Sequence, residues 1–238
     1  MSPPRARLNL LDMQRWADLW GVPLAMPAAH PRRTVAAMRL LWATPEGPTR
    51  TALTGALFRA YWAEGRDVSD PAVLGAIAAE HGVDAAIAGS EAARAGLFAA
   101  TAEAAALGAF GVPVTAVGES WWWGQDRLHF AEAGLGGAPR RGGAGCGPPA
   151  APGAVIDFFH DFSSPFSYLA STQIERVAAA HGATVRWRPI LLGGLFREVG
   201  TPDVPLLAMS AAKQRYLLRD LSEWARFWGV PFRFPSGF

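Results

Sequence analysis

Three short runs hold the residues best suited to chemistry. In Asp161-Phe-Ser-Ser-Pro-Phe-Ser167 a hydroxyl, Ser164, stands where a strand gives way to a helix. Pro165 takes the first helical position, where a missing N–H leaves no bond unmade. A serine there caps the helix. A helix N-terminus also joins free N–H donors to a partial positive charge, which suits a thiolate or another anion. In Phe110-Gly-Val-Pro-Val-Thr115, Pro113 opens a strand, a usual place for an edge or strand-start proline. In Trp123-Gly-Gln-Asp-Arg127, Gln125 and Asp126 open a helix. They are either residues stabilised by the helix dipole or receivers of a ligand's ammonium and carboxylate groups, and this run leaves both open.

Several other chemistries lack their residues. The five histidines (His30, His81, His129, His160, His181) contain no i,i+4 pair and no metal-ligand spacing. His160, in a strand beside Asp161, reads as packed or edge-facing. The single cysteine, Cys146, excludes a disulfide scaffold and a Cys-x-x-Cys redox pair, and fits a reducing cytoplasm. No G-x-S-x-G, P-loop or G-x-G-x-x-G occurs. Of 22 basic residues only Lys213 is lysine; the arginines are scattered, so no basic face for nucleic acid forms. The uncharged run Ala104 to Gly118 is broken by Gly and Pro and falls short of the roughly 20 residues of a membrane span, so a soluble protein is expected.

The elements that must position these runs read as α/β. Helical spacing and caps predict helices over Arg33–Trp42, Arg50–Glu64, Pro71–Glu80 and Glu91–Leu107. Val112–Val117 and Ser120–Trp123 form a hairpin around Gly118-Glu119, and Gln125–Leu135 a helix. The stretch Gly136–Gly153, rich in Gly and Pro, reads as a linker. Beyond it come a strand (Val155–Phe162), a helix (Pro165–His181), a strand (Thr184–Leu191) and a helix (Ala211–Trp228). One repeat crosses this plan: Leu10–Pro27 aligns without gaps with Leu218–Pro235, both tryptophans and the Gly-Val-Pro stop included.

Taken together, VIDFFHDFSSPFSYLA, RWRPILLGGLF, KQRYLLRDLSEWARFWGVPFRFP, LFRAYWAEGRDVSDPAVL and GAFGVPVTAVGESWWWGQDRL resemble the 2-hydroxychromene-2-carboxylate isomerases, relatives of kappa-class glutathione transferases and DsbA-type thiol oxidoreductases. The resemblance covers nearly the whole chain outside the linker. It implies a thioredoxin-like sheet with a helical domain inserted, and glutathione as cofactor. It places Ser164 at the glutathione sulfur, where the redox relatives keep a cysteine. Pro113 matches the family's cis-proline and Val112 the residue pairing with the tripeptide backbone. Gln125 and Asp126 match positions holding the γ-glutamyl end, and Lys213 is matched to a glutathione carboxylate. It further implies a small aromatic substrate, walled by Phe166, Trp121, Trp122 and Trp123, and a homodimer, with neither nucleic acid nor membrane as partner.

The order departs from the family. Residues 1–109 resemble its helical insertion, 110–137 the hairpin and last helix of its thioredoxin-like part, and 154–238 its beginning, with 138–153 as the linker. The chain therefore reads as a circular permutation or a window across tandem copies, with one helix counted twice. The first copy has Arg5 and Leu8 where the second has Lys213 and Tyr216, so the second is expected at the site and the first at the periphery or exchanged between molecules. The activity expected is a glutathione-dependent interconversion of 2-hydroxychromene-2-carboxylate and trans-o-hydroxybenzylidenepyruvate. A transferase or DsbA-like protein acting on other electrophiles, and an inactive rearranged chain that only binds glutathione, are the alternatives.

Overall fold

The computed structural model describes residues 3–137, 151–202 and 204–234. Of the expected linker only its ends are covered; residues 138–150, with Cys146, lie outside the described residues. No helix among the described residues is long and apolar enough to cross a membrane. The chain divides into two units, Met1–Leu107 and Gly108–Phe238.

The first unit is helical: α1 (Pro3–Trp20), α2 (Val35–Ala43), α3 (Pro48–Trp62), α4 (Pro71–Glu80) and α5 (Glu91–Ala106), with a 3-10 turn at Ala85–Gly89. Local signals set the starts. Asp70 accepts from the Ala72 N–H at 2.8 Å ahead of Pro71, and Ser90 accepts from the Ala93 N–H at 3.1 Å. The core joins Leu40, Leu53, Leu57, Leu74, Ile77 and Ala78, each removed almost fully from water. Thr44 is buried among them without penalty because its hydroxyl donates to the Leu40 carbonyl at 2.8 Å. Gly96 is a packing glycine: the Trp42 ring lies where a Cβ would stand.

The second unit holds β1 (Val114–Val117), β2 (Ser120–Trp123), a 3-10 turn (Gln125–Arg127) and α6 (Leu128–Gly134), then β3 (Val155–His160), α7 (Pro165–Ala180), β4 (Thr184–Pro189), α8 (Leu192–Glu198), a 3-10 turn (Pro205–Ala208) and α9 (Ala211–Trp228). β1 and β2 pair antiparallel, Val114 opposite Trp123 and Val117 opposite Ser120; β3 and β4 pair in parallel, Val155 opposite Thr184 and His160 opposite Pro189. The strands of the thioredoxin-like fold thus lie in two separate two-stranded sheets. Each pair is closed by a local connection, a tight turn or a βαβ crossover, whereas joining them needs strands far apart in sequence.

α9 serves both pairs. Trp224 and Phe227 pack with Trp122, Phe130 and Ala131 of the hairpin and α6, while Leu217, Leu221 and Ala225 pack on Leu169 of α7. Its repeat, α1, buries only Ala17 and leaves Leu8, Leu10, Leu11, Leu19 and Trp20 exposed. The segments after the two copies also diverge. After α1, the Ala25 N–H donates to the Trp62 carbonyl at 2.6 Å within the helical unit. After α9, the Pro231 carbonyl accepts from the Tyr168 hydroxyl at 2.8 Å, and Val230 and Phe232 cover Leu221.

The helix expected over Gln125–Leu135 is split, with a 3-10 turn first, and α8 was not expected at all, because Leu-Gly-Gly-Leu carries two weak helix formers.

Candidate functional site

β3 ends at His160 and the chain turns into α7 through Asp161–Ser164. Asp161 organises this turn: one carboxylate oxygen accepts from the Leu192 N–H at 2.7 Å, the other from the Ser163 N–H and hydroxyl at 2.9 Å each. These donors, Leu192 first, hold its carboxyl below the usual range. Ser164 caps α7, its Oγ accepting from the Ser167 N–H at 3.2 Å. The hydroxyl proton is then free to be donated outward. Beside it opens a cavity of about 420 Å3, mostly apolar, walled by Phe166, Leu192, Phe196, Leu206, Met209 and Leu217 among others. Asp161 ties the start of α8, one wall, to the loop that holds Ser164.

The remaining expected residues gather elsewhere in the same unit. The Val112–Pro113 peptide is cis, and Val112 is 88% exposed. The Pro113 carbonyl accepts from the Gly124 N–H at 3.0 Å, so the hairpin register extends to bring Val112 and Pro113 beside Gly124 and Gln125. Gly124 is required here: its φ is +103°, and a Cβ would meet the Asp126 Oδ1 at 2.5 Å. Lys213, in the first turn of α9, holds its Nζ 5.4 Å from the Trp123 ring centre and 5.7 Å from that of Phe110. Val112, Pro113, Gln125 and Asp126 therefore lie at one end of the hairpin, and Lys213, from the start of α9, reaches the Phe110 and Trp123 rings that flank it. None of the five lines the cavity at Ser164, which opens on the flank of α9 carrying Leu217 and Leu221.

The tryptophan run does not form one wall. A β-strand points successive side chains to opposite faces. Trp121 stacks on Tyr216 at 5.0 Å and Trp123 packs on Phe110 at 5.1 Å, whereas Trp122 is turned the other way, onto Phe130. Of the four aromatics, only Phe166 lines the cavity at Ser164.

Glu223 and Asp220 of α9 and Arg127 of the 3-10 turn, which carry this geometry, were not singled out from sequence, and Tyr216 was noted only through the repeat. Tyr216 is buried, its Oη accepting from the Trp123 N–H at 2.9 Å. Glu223 accepts from the Trp122 indole N–H at 2.8 Å, and burial raises its carboxyl pKa. Arg127 bridges Asp126 and the buried Asp220. Burial alone would lower the guanidinium's pKa, but Asp220 and then Asp126 outweigh it and the net shift is upward. Asp220 had one signal, its identity with Asp12 in the repeat.

A cis-proline strand, a hydroxyl capping the helix after a parallel strand, and a separate helical unit define a thioredoxin-like class of protein. Residues 1–136 and 155–238 match the DSBA-like thioredoxin domain, and the chain belongs to that family. It is 36% identical over 84 residues to a 2-hydroxychromene-2-carboxylate isomerase of Pseudomonas putida, a match covering 35% of this chain and 41% of that one. It is 32% identical over 84 residues to glutathione S-transferase kappa 2 of Caenorhabditis elegans, covering 35% and 36%. Each sequence match thus spans about two-fifths or less of the curated relative's length. The solved structure of a selenomethionine 2-hydroxychromene-2-carboxylate isomerase superposes with a TM-score of 0.51 at 28% identity, covering 56% of this chain and 67% of that one.

Proposed function

We propose that this chain is a glutathione-dependent isomerase interconverting 2-hydroxychromene-2-carboxylate and trans-o-hydroxybenzylidenepyruvate. The observation that carries the reading is Ser164: an Oγ that accepts from the Ser167 N–H keeps its own proton for a sulfur anion, at a helix N-terminus and beside an apolar cavity. When bound, glutathione would supply reversible conjugate addition of a thiolate, chemistry that turns the substrate's carbon–carbon double bond into a rotatable single bond and restores it on elimination of the same thiolate. Ser164 holds that sulfur as thiolate by hydrogen bonding, and the partial charge of α7 lowers its pKa further. By the resemblance, the backbone of Val112 would pair with the tripeptide, Gln125 and Asp126 would receive its γ-glutamyl end and Lys213 would meet a carboxylate, which requires one glutathione to reach from this cluster to Ser164. Phe166 and the apolar walls exclude water from a flat aromatic substrate.

We read residues 154–238 and 1–137 as the family's first and later parts, in permuted order. Homology to kappa-class transferases favours a second reading, conjugation of glutathione to other electrophiles. The deciding experiment follows 2-hydroxychromene-2-carboxylate by ultraviolet absorbance with and without glutathione, for the native chain and Ser164→Ala. Loss of glutathione-dependent turnover in the variant is expected. Unchanged turnover overturns the mechanism, and adduct formation without isomerisation selects the transferase.

A further inference from the structure

The helical unit contains a cavity of its own. About 220 Å3 in size, it opens between α2 and α3, walled by Met38, Leu41, Leu57 and Phe58, with His30 and Tyr61 also lining it. An apolar protein cavity of about 150 Å3 already accepts benzene, so this one has room for a single ring with a short substituent. Met38 and Phe58 are 45% and 63% exposed, which leaves its mouth open to solvent.

The polar groups in its lining are arranged. The Arg32 backbone N–H, which can only donate, reaches the Tyr61 hydroxyl at 3.1 Å, and the same oxygen lies 2.9 Å from the His30 Nδ1. The Tyr61 oxygen accepts from Arg32, and His30 Nδ1 is the one acceptor its hydroxyl proton meets among the described residues, so the arrangement that satisfies that proton has Tyr61 donate to Nδ1 and puts the proton of the neutral imidazole on Nε2. That N–H is a donor with no partner among the described residues. Arg32 also lines the cavity, but Asp67 neutralises its guanidinium, so the lining offers no uncompensated charge to a guest.

We infer that this cavity is a second binding site, for a small, flat, uncharged molecule of one ring bearing an acceptor oxygen, such as an aryl ketone, with the His30 Nε2–H donating to that oxygen. The site is lined wholly by residues of the segment 30–68.

Fluorine NMR titration of the full chain with para-fluoroacetophenone, para-fluoroethylbenzene and para-fluorobenzoate tests this. The ketone should bind saturably and about tenfold more tightly than the ethylbenzene, the worth of one hydrogen bond. His30→Phe, which keeps a ring against Trp62, should erase that difference. Met38→Trp and Thr34→Trp, one turn apart at the start of α2, should block both ligands; both positions are exposed, and retention of the helical circular dichroism checks that each variant folds. Binding unaffected by either tryptophan, a ketone preference that survives His30→Phe, tightest binding by the benzoate, or no saturable binding at all would each overturn the inference.

Discussion

Arg127 donates from Nε and Nη2 to the two carboxylate oxygens of Asp220 at 2.8 and 2.9 Å, joining the turn after the hairpin to the middle of α9. Asp220 is 1% exposed, and the third nitrogen of Arg127 holds Asp126. Asp220→Ala leaves the largely buried Arg127 with Asp126 as its one carboxylate and should destabilise the second unit by about 2–4 kcal/mol, read as a lowered urea midpoint. Pairing Arg127→Met with Asp220→Leu should recover most of that loss, since no buried charge is then left unpaired and Asp126, which loses Arg127, is partly exposed to water. A double variant no more stable than Asp220→Ala would mean the pair is not the unit of stability here.

Ser164 has two separable tasks. Aspartate caps helices as well as serine does, so Ser164→Asp should keep α7 and alter stability by no more than about 0.5 kcal/mol, whereas Ser164→Ala should cost about 1 kcal/mol. With respect to catalysis the order does not follow stability: a fixed carboxylate beside the sulfur opposes a thiolate, and Ser164→Asp should be inactive. Thermal unfolding and glutathione-dependent turnover, measured on both variants, separate the cap from the chemistry.

The repeated helices make a matched pair of probes. Leu221, 1% exposed between α9 and α7, aligns with Met13 of α1. Leu221→Ala should cost about 2–5 kcal/mol by leaving a cavity. Met13→Ala lies on a helix that buries one residue and should change stability by less than about 1 kcal/mol. Equal losses, measured by chemical denaturation, would show that α1 is packed as firmly as its copy.

His129 gives the second unit a pH dependence. Its ring lies against Phe130, Trp224 and Phe227, and burial, then the Arg127 charge, lowers its pKa below the ordinary 6.5. With the folded value depressed, the neutral form is the one the fold favours. Its contribution is present above pH 6.5 and is lost as pH falls through the folded value. The urea midpoint should fall on acidification across that window, and His129→Phe should flatten the fall; an identical profile in the variant would assign the titration to another group.

Much of this protein was legible because its signals are local. α4 begins where Asp70-Pro71 says it should and α9 ends at the Trp228-Gly229 stop, since capping and left-handed glycine act within one turn. The three runs that contain Ser164, Pro113 and Gln125-Asp126 stand out for the same reason: each is a strand or helix end read from a few neighbours. The uncharged tryptophan run invited a single aromatic wall, but strand alternation sends Trp122 away from Trp121 and Trp123.

Tertiary structure alone decided what each element was packed against. Half the positions of Leu10–Pro27 and Leu218–Pro235 are the same, and both copies form helices, because helix formation follows local propensity and spacing. Yet α9 carries a buried ion pair and two apolar contacts, while α1 leaves its leucines in water. The difference lies in partners that come from distant parts of the chain: Arg127, Trp122 and Leu169 meet α9, and burial is a property of that meeting rather than of the eighteen residues themselves.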